Sequence, residues 1–141
     1  MTPEAGRFLQ KAQKHLEHAD TMLSVGLNDD GGRAAYLAGF HAAQAFIFEN
    51  IGKAFKSHNG VQAEFLRLTK DDPRFPSDLR TFLSHAYNLK AIADYETGPG
   101  SEVSAERATS AVETGKRFVA HIVGLIPSAK PPPRPDNGAE P

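Results

Sequence analysis

An arginine and a histidine five positions apart, Arg80 and His85 in the string Arg-Thr-Phe-Leu-Ser-His, are the residues most able to do chemistry in this chain. An imidazole moves protons near neutral pH, and a guanidinium stabilises charge building on a phosphorus atom. Together they would need no metal. On a regular helix, five positions turn about 140° and rise about 7.5 Å, so the pair shares a face only where the helix is irregular.

A second group lies further along the same stretch. Lys90 and Asp94 stand four residues apart, so they share one helix face and can pair, with Tyr95 displaying a phenol beside them. The plain alternative is a surface ion pair. A third group is the loop Lys56-Ser57-His58-Asn59-Gly60, where two basic side chains precede a helix whose free amides favour anions. The same residues also make an ordinary capping turn. His15 and His18, one turn apart, have ligand-like spacing, but no third ligand is identifiable and no metal or cofactor is assigned. Without cysteine there are neither disulfides nor thiolate chemistry, and the sequence has no Walker-type glycine loop and no Gly-x-Ser-x-Gly elbow.

The elements that would position these groups are all helices. Thr2 caps a first helix with Pro3 at its first position, and Phe8, Ala12, Leu16, Ala19, Leu23 and Leu27 form one apolar stripe. Asn28-Asp29-Asp30-Gly31-Gly32 is expected to break it. A second helix, from about Gly32 to Ile51, is rich in alanine and carries Gly39, which implies crowding by a neighbouring helix or by a second subunit. Ser57 or Asn59 caps a short third helix over 60–70. Pro76 or Ser77 opens a fourth, with Leu79, Phe82, Leu83, Ala86, Leu89 and Ala93 in helical period. Ser104 caps a fifth, which is expected to bury Ala108, Ala111, Val112, Phe118, Val119, Ile122 and Ile126. The prediction is an all-α, up-and-down bundle of about five helices over residues 1–126. The proline-rich segment 127–141 has no apolar period and is expected to be a disordered tail.

Composition narrows the function classes. At 141 residues with 40% hydrophobic content, the chain fits one domain with a real core. A net charge of −1 argues against a generic polyanion binder. Residues 53–90 are nevertheless mildly basic, with Lys53, Lys56, Arg67, Lys70, Arg74, Arg80 and Lys90 against Glu64, Asp71, Asp72 and Asp78. No apolar run reaches membrane-spanning length and no secretory leader is visible, so a cytoplasmic protein is expected.

Three stretches carry a family resemblance: the Arg33-Ala-Ala-Tyr36 helix, the Lys56-Ser-His58-Asn-Gly60-Val loop, and Leu89-Lys-Ala-Ile-Ala-Asp94-Tyr95. In that order they resemble the HEPN fold, a small helical bundle found beside nucleotidyltransferases and in RNA-cleaving toxins. By order of elements the resemblance covers about the first 125 residues. It implies a homodimer, with a nucleotidyltransferase or an antitoxin as a further partner and RNA or a nucleotide as ligand. Nuclease members use an Arg and a His four to six residues apart, the two subunits placing their pairs around a shared cleft. That motif typically falls later in the helix, where this chain has Lys90 for the Arg and Tyr95 for the His. The resemblance therefore favours a binding or accessory role, with Lys56, His58, Lys90, Asp94 and Tyr95 as ligand contacts. A metal-independent ribonuclease toxin using Arg80 and His85 is the runner-up, and a non-catalytic helical interaction module is the third reading.

Overall fold

The computed structural model describes residues 1–126, so the predicted tail lies outside the described residues. Six helices follow in order: α1 (Pro3–Ser24), α2 (Asn28–Ile51), α3 (His58–Thr69), α4 (Ser77–Arg80), α5 (Phe82–Tyr95) and α6 (Ala105–Leu125). No strand forms among the described residues. The all-α bundle is thus the observed fold, with the predicted fourth helix divided at Thr81 into α4 and α5.

The helix starts are written locally. Thr2 accepts from the Ala5 amide, Ser57 from Gly60 and Ser104 from Arg107, each offering its hydroxyl to a donor the helix leaves free. The break between α1 and α2 falls earlier than the sequence implies, at Val25-Gly26-Leu27, where Gly26 takes a φ of 79°. Residues 28–32 are instead the first turn of α2. Two distant contacts hold them there. The Asp29 carboxylate accepts from the Val103 amide at 2.8 Å, and buried Gly32 lies against Leu89 and Val103.

The central element is α2, which packs against α1, α3, α5 and α6 and is buried nearly all round. Its alanines make room for these neighbours. Gly39 explains itself here: a Cβ at this position would run into the Phe82 ring edge and come within 3.3 Å of Leu83 on α5. The crowding comes from within the chain. Phe46, Phe65, Phe75 and Phe118 interlock below, with ring centroids 5.3 to 5.9 Å apart in tilted or edge-on contacts that aromatic quadrupoles favour. This rigid centre fixes how α3 and α5 present their polar ends.

Candidate functional site

The polar site is assembled where the start of α3 meets the second half of α5, against the outer face of α2. Its placement depends on the 52–57 loop. Gly52 ends α2 in the left-handed region, and the buried Gln44 amide donates to the Phe55 carbonyl at 2.7 Å. His41 in turn holds the Gln44 oxygen through its Nδ1 at 2.7 Å. A Cβ at Gly60 would sit 2.9 Å from the capping Ser57 hydroxyl and push it out of its cap position. His58 thereby becomes the first residue of α3, held in one orientation.

Around His58 the structure gathers two tyrosines that the sequence reading missed. The Tyr36 hydroxyl lies 2.8 Å from Nδ1 of His58, and the Tyr87 ring stacks on the imidazole at 3.8 Å with the planes 15° apart. Tyr36 and Tyr87 also meet edge to face at 5.5 Å. Burial pushes the Tyr36 phenol well above its usual range, so it stays protonated and able to donate. Burial likewise lowers the His58 pKa, against a hydrogen bond from the ring to the Gln62 side chain that raises it, with the Lys90 charge lowering it further. A neutral imidazole lying on a phenol is the result. Tyr87 remains 38% exposed.

Charge is arranged beside this aromatic stack. The Lys90 ammonium is 5.9 Å from the Tyr87 ring centre and bonds Asp94 at 2.6 Å. Asp94 also accepts from Nε of Arg33 at 2.8 Å, while Arg33 holds Asp30 at 2.6 Å. Hydrogen bonds from Lys90 and then Arg33 keep the Asp94 carboxyl below its usual range, and the bond to Asp94 raises the Lys90 pKa. Lys90 is therefore a cation already satisfied by a carboxylate. A ligand phosphate would have to compete for it.

Of the residues singled out in the sequence, His58, Lys90 and Asp94 lie in or beside this cluster. Lys56 is exposed just before it, and Tyr95 is 73% exposed at the end of α5. Arg80 and His85 are not brought together, even though the helix is irregular between them at Thr81. The Arg80 guanidinium donates to the Thr69 hydroxyl at 3.1 Å and the Leu66 carbonyl at 2.9 Å, tying it to α3. His85 lines a separate groove toward α6. The signals for the missed residues were present but ambiguous: Tyr87 stands three positions before Lys90, and Tyr36 three after Arg33. Each also reads as an ordinary helix-face aromatic.

A second histidine group lies on α1 and α2. His15 and His41 stack at 5.3 Å, with His18 edge-on to His15 at 6.0 Å. Among the described residues no group of three or more histidine or acidic side chains is arranged to hold a metal. Burial first, then the neighbouring His41 and His18 charges, lowers the His15 pKa, and burial lowers that of His41. With His58, three rings thus take up protons less readily when folded than at the ordinary value of 6.5. Their contribution to stability is complete above that value and is lost as the pH falls through the lower folded values. The urea midpoint is expected to drop between about pH 7.5 and about pH 5, a window above the titration of the ion-paired carboxylates. An unchanged midpoint would contradict these environments.

Residues 5–124 match the family profile described as HEPN domain. The UPF0332 protein glr0978 of Gloeobacter violaceus is 27% identical over 119 residues, covering 84% of this chain and 93% of that protein. A UPF0332 protein of Archaeoglobus fulgidus is 29% identical over 111 residues, covering 79% and 86% respectively. Among solved structures, TT1696 from Thermus thermophilus shares the fold with a TM-score of 0.73 and 19% identity. That superposition covers 87% of this chain and 98% of TT1696.

Proposed function

The chain belongs to the HEPN domain family, and we propose that it is a binding or accessory member that takes single-stranded RNA or a nucleotide-bearing partner on the His58–Tyr87 face. The observation that carries this reading is the stacked His58–Tyr87 pair with Lys90 alongside. Nucleic-acid bases stack on exposed aromatic rings whatever their sequence, and nearby cations hold the backbone. The pair already supplies two rings in parallel, and Tyr87 is exposed enough for a base to reach it.

Two features favour binding over cleavage. Arg80 is committed to α3, so it is not available beside His85. His58 bonds a phenol that stays protonated, leaving no carboxylate to orient it as a base. A homodimer, a nucleotidyltransferase or antitoxin partner, and a cytoplasmic toxin–antitoxin setting belong to the same proposal and are supported by the family alone. No helix among the described residues is long and apolar enough to cross a membrane.

The salt dependence of RNA binding tests the charged half of this face. Because Asp94 already holds Lys90, Lys90→Ala should weaken binding of a short single-stranded RNA only about threefold, an effect that fades as salt rises. Lys56→Ala, which removes an exposed cation, should do at least as much. A Lys90→Ala loss that persists undiminished at high salt would mean that the lysine acts by structure. Cleavage of the oligonucleotide that disappears in His85→Ala would replace the binding reading with the ribonuclease one.

A further inference from the structure

The 52–57 loop that seats His58 is tied to the interior through Gln44, and the tie leads away from the site. The buried Gln44 amide donates to the Phe55 carbonyl at 2.7 Å, and on its other side lies Nδ1 of His41, also at 2.7 Å. A backbone carbonyl only accepts, so the amide nitrogen must face Phe55 and the amide oxygen must face His41. That oxygen also only accepts. The hydrogen of a neutral His41 ring therefore sits on Nδ1.

A second imidazole keeps His41 in this pose. The His15 ring on α1 stacks on it at 5.3 Å with the planes 19° apart, His18 stands edge-on to His15, and Phe40 meets His41 edge-on at 5.6 Å. The charges bearing on this stack are of one sign. Lys11, Lys14 and His18 act on His15 from α1, and Lys11 acts on His41 as well. The acids of that helix are turned elsewhere: Glu17 and Asp20 line a groove toward α6, where Lys116 holds Asp20 at 2.8 Å. The loop contributes Lys53, over the Phe55 ring at 5.7 Å. From α3 come His58, engaged by Tyr36 and Tyr87, and Glu64, bonded by Arg67. A proton taken up by either stacked ring thus enters a half-buried, cationic place, and a second would face the first across the stack. Swinging His41 out into water relieves the repulsion. Its departure leaves the Gln44 oxygen, on a residue only 5% exposed, without its donor, and the amide is no longer held with its nitrogen on Phe55.

We propose that the His15–His41 stack is a proton-operated latch on the 52–57 loop, in which neutral rings hold the loop through Gln44 and proton uptake releases it. His41 is a positioning residue that acts on His58 through Gln44, Phe55 and the Ser57 cap. The sign follows from linkage. Both rings take up protons less readily when stacked than when free, so the latch is closed above the ordinary value of 6.5 and opens as the pH falls through the lower values of the stack. The consequence for RNA rests on the reading of the His58 face as the binding surface, whereas the latch itself does not.

NMR spectra of the full chain without RNA, recorded from about pH 7.5 to about pH 5, test this. At the upper end, the imidazole nitrogen shifts should place the hydrogen of His41 on Nδ1. On acidification the amides of residues 53–57 should shift in step with the His15 and His41 titration. Exchange protection of the Gly60 amide, which bonds the Ser57 hydroxyl, should fall by about tenfold or more over the same range. His41→Asn keeps an N–H donor for Gln44 without a titrating ring, so its loop should stay seated and lose most of this pH step. His15→Phe keeps the stack and should shrink the step too. A hydrogen on Nε2 of His41, a loop that does not respond in this range, or a full-sized step in His41→Asn would each overturn the latch. RNA binding that fails at low pH while the loop amides stay fixed would overturn it and leave the binding face standing. A loop that opens as described in a chain that binds no RNA would support the latch and remove the binding face.

Discussion

Gly39→Leu is expected to destabilise the folded chain severely, at or beyond the ~3 kcal/mol upper end of ordinary overpacking. The space a side chain would need is filled by Phe82 and Leu83, whose own positions are fixed. Phe82 is 3% exposed and packs on Phe118 at 5.2 Å, so displacing its ring would break that contact. The gain of about 1 kcal/mol in helix propensity on replacing glycine offsets only part of this. Urea denaturation gives the magnitude, and Gly39→Ala with Phe82→Leu should recover stability relative to Gly39→Ala alone. A Gly39→Leu protein of normal stability that had lost self-association would contradict the packing and return Gly39 to a subunit contact.

The second large effect concerns binding. Tyr87→Ala should weaken single-stranded RNA binding by about fivefold to about 150-fold, the range set by about 1–3 kcal/mol for each base stacked on an aromatic ring. The loss should exceed that of Lys90→Ala, because Tyr87 is an exposed aromatic ring whereas Lys90 is already bonded to Asp94. Tyr87→Phe keeps the ring and should keep most of the affinity. Fluorescence anisotropy with a labelled oligonucleotide gives the comparison. Binding by Tyr87→Ala equal to that of the unaltered chain would remove the stacking platform from the account.

Much of the bundle could be read from the sequence because the signals that build helices are local. Thr2, Ser57 and Ser104 cap through hydroxyls that reach only three residues ahead, so their roles are visible in the string itself. The apolar periods of α1, α5 and α6 are local too. The 28–32 segment misled for the opposite reason. Two acids and two glycines in a row look like a break, yet they are helical because Asp29 caps the segment before α6, 74 residues away, and Gly32 admits Leu89 and Val103. Nothing near residue 29 announces Val103.

The candidate site divides along the same line. The Lys90–Asp94 pair follows from helical spacing, and the resemblance pointed to the loop that holds His58. What spacing alone could not supply was the meeting of three elements. Arg33 reaches Asp94 across 61 residues, Tyr36 reaches His58 across 22, and Gln44 fixes the loop through the Phe55 carbonyl. Arg80 and His85 show the converse. A spacing that suggests a catalytic pair is undone because α3 claims the arginine and the α5–α6 groove receives the histidine.

Photocrosslinking of a 4-thiouridine-labelled single-stranded RNA to the full chain, with the attached peptide identified by mass spectrometry, tests the central claim most directly. The account predicts attachment to the peptide carrying Tyr87 or the one carrying His58, abolished by excess unlabelled RNA. Attachment confined to α1 or to residues 127–141, or none at saturating RNA, would contradict it.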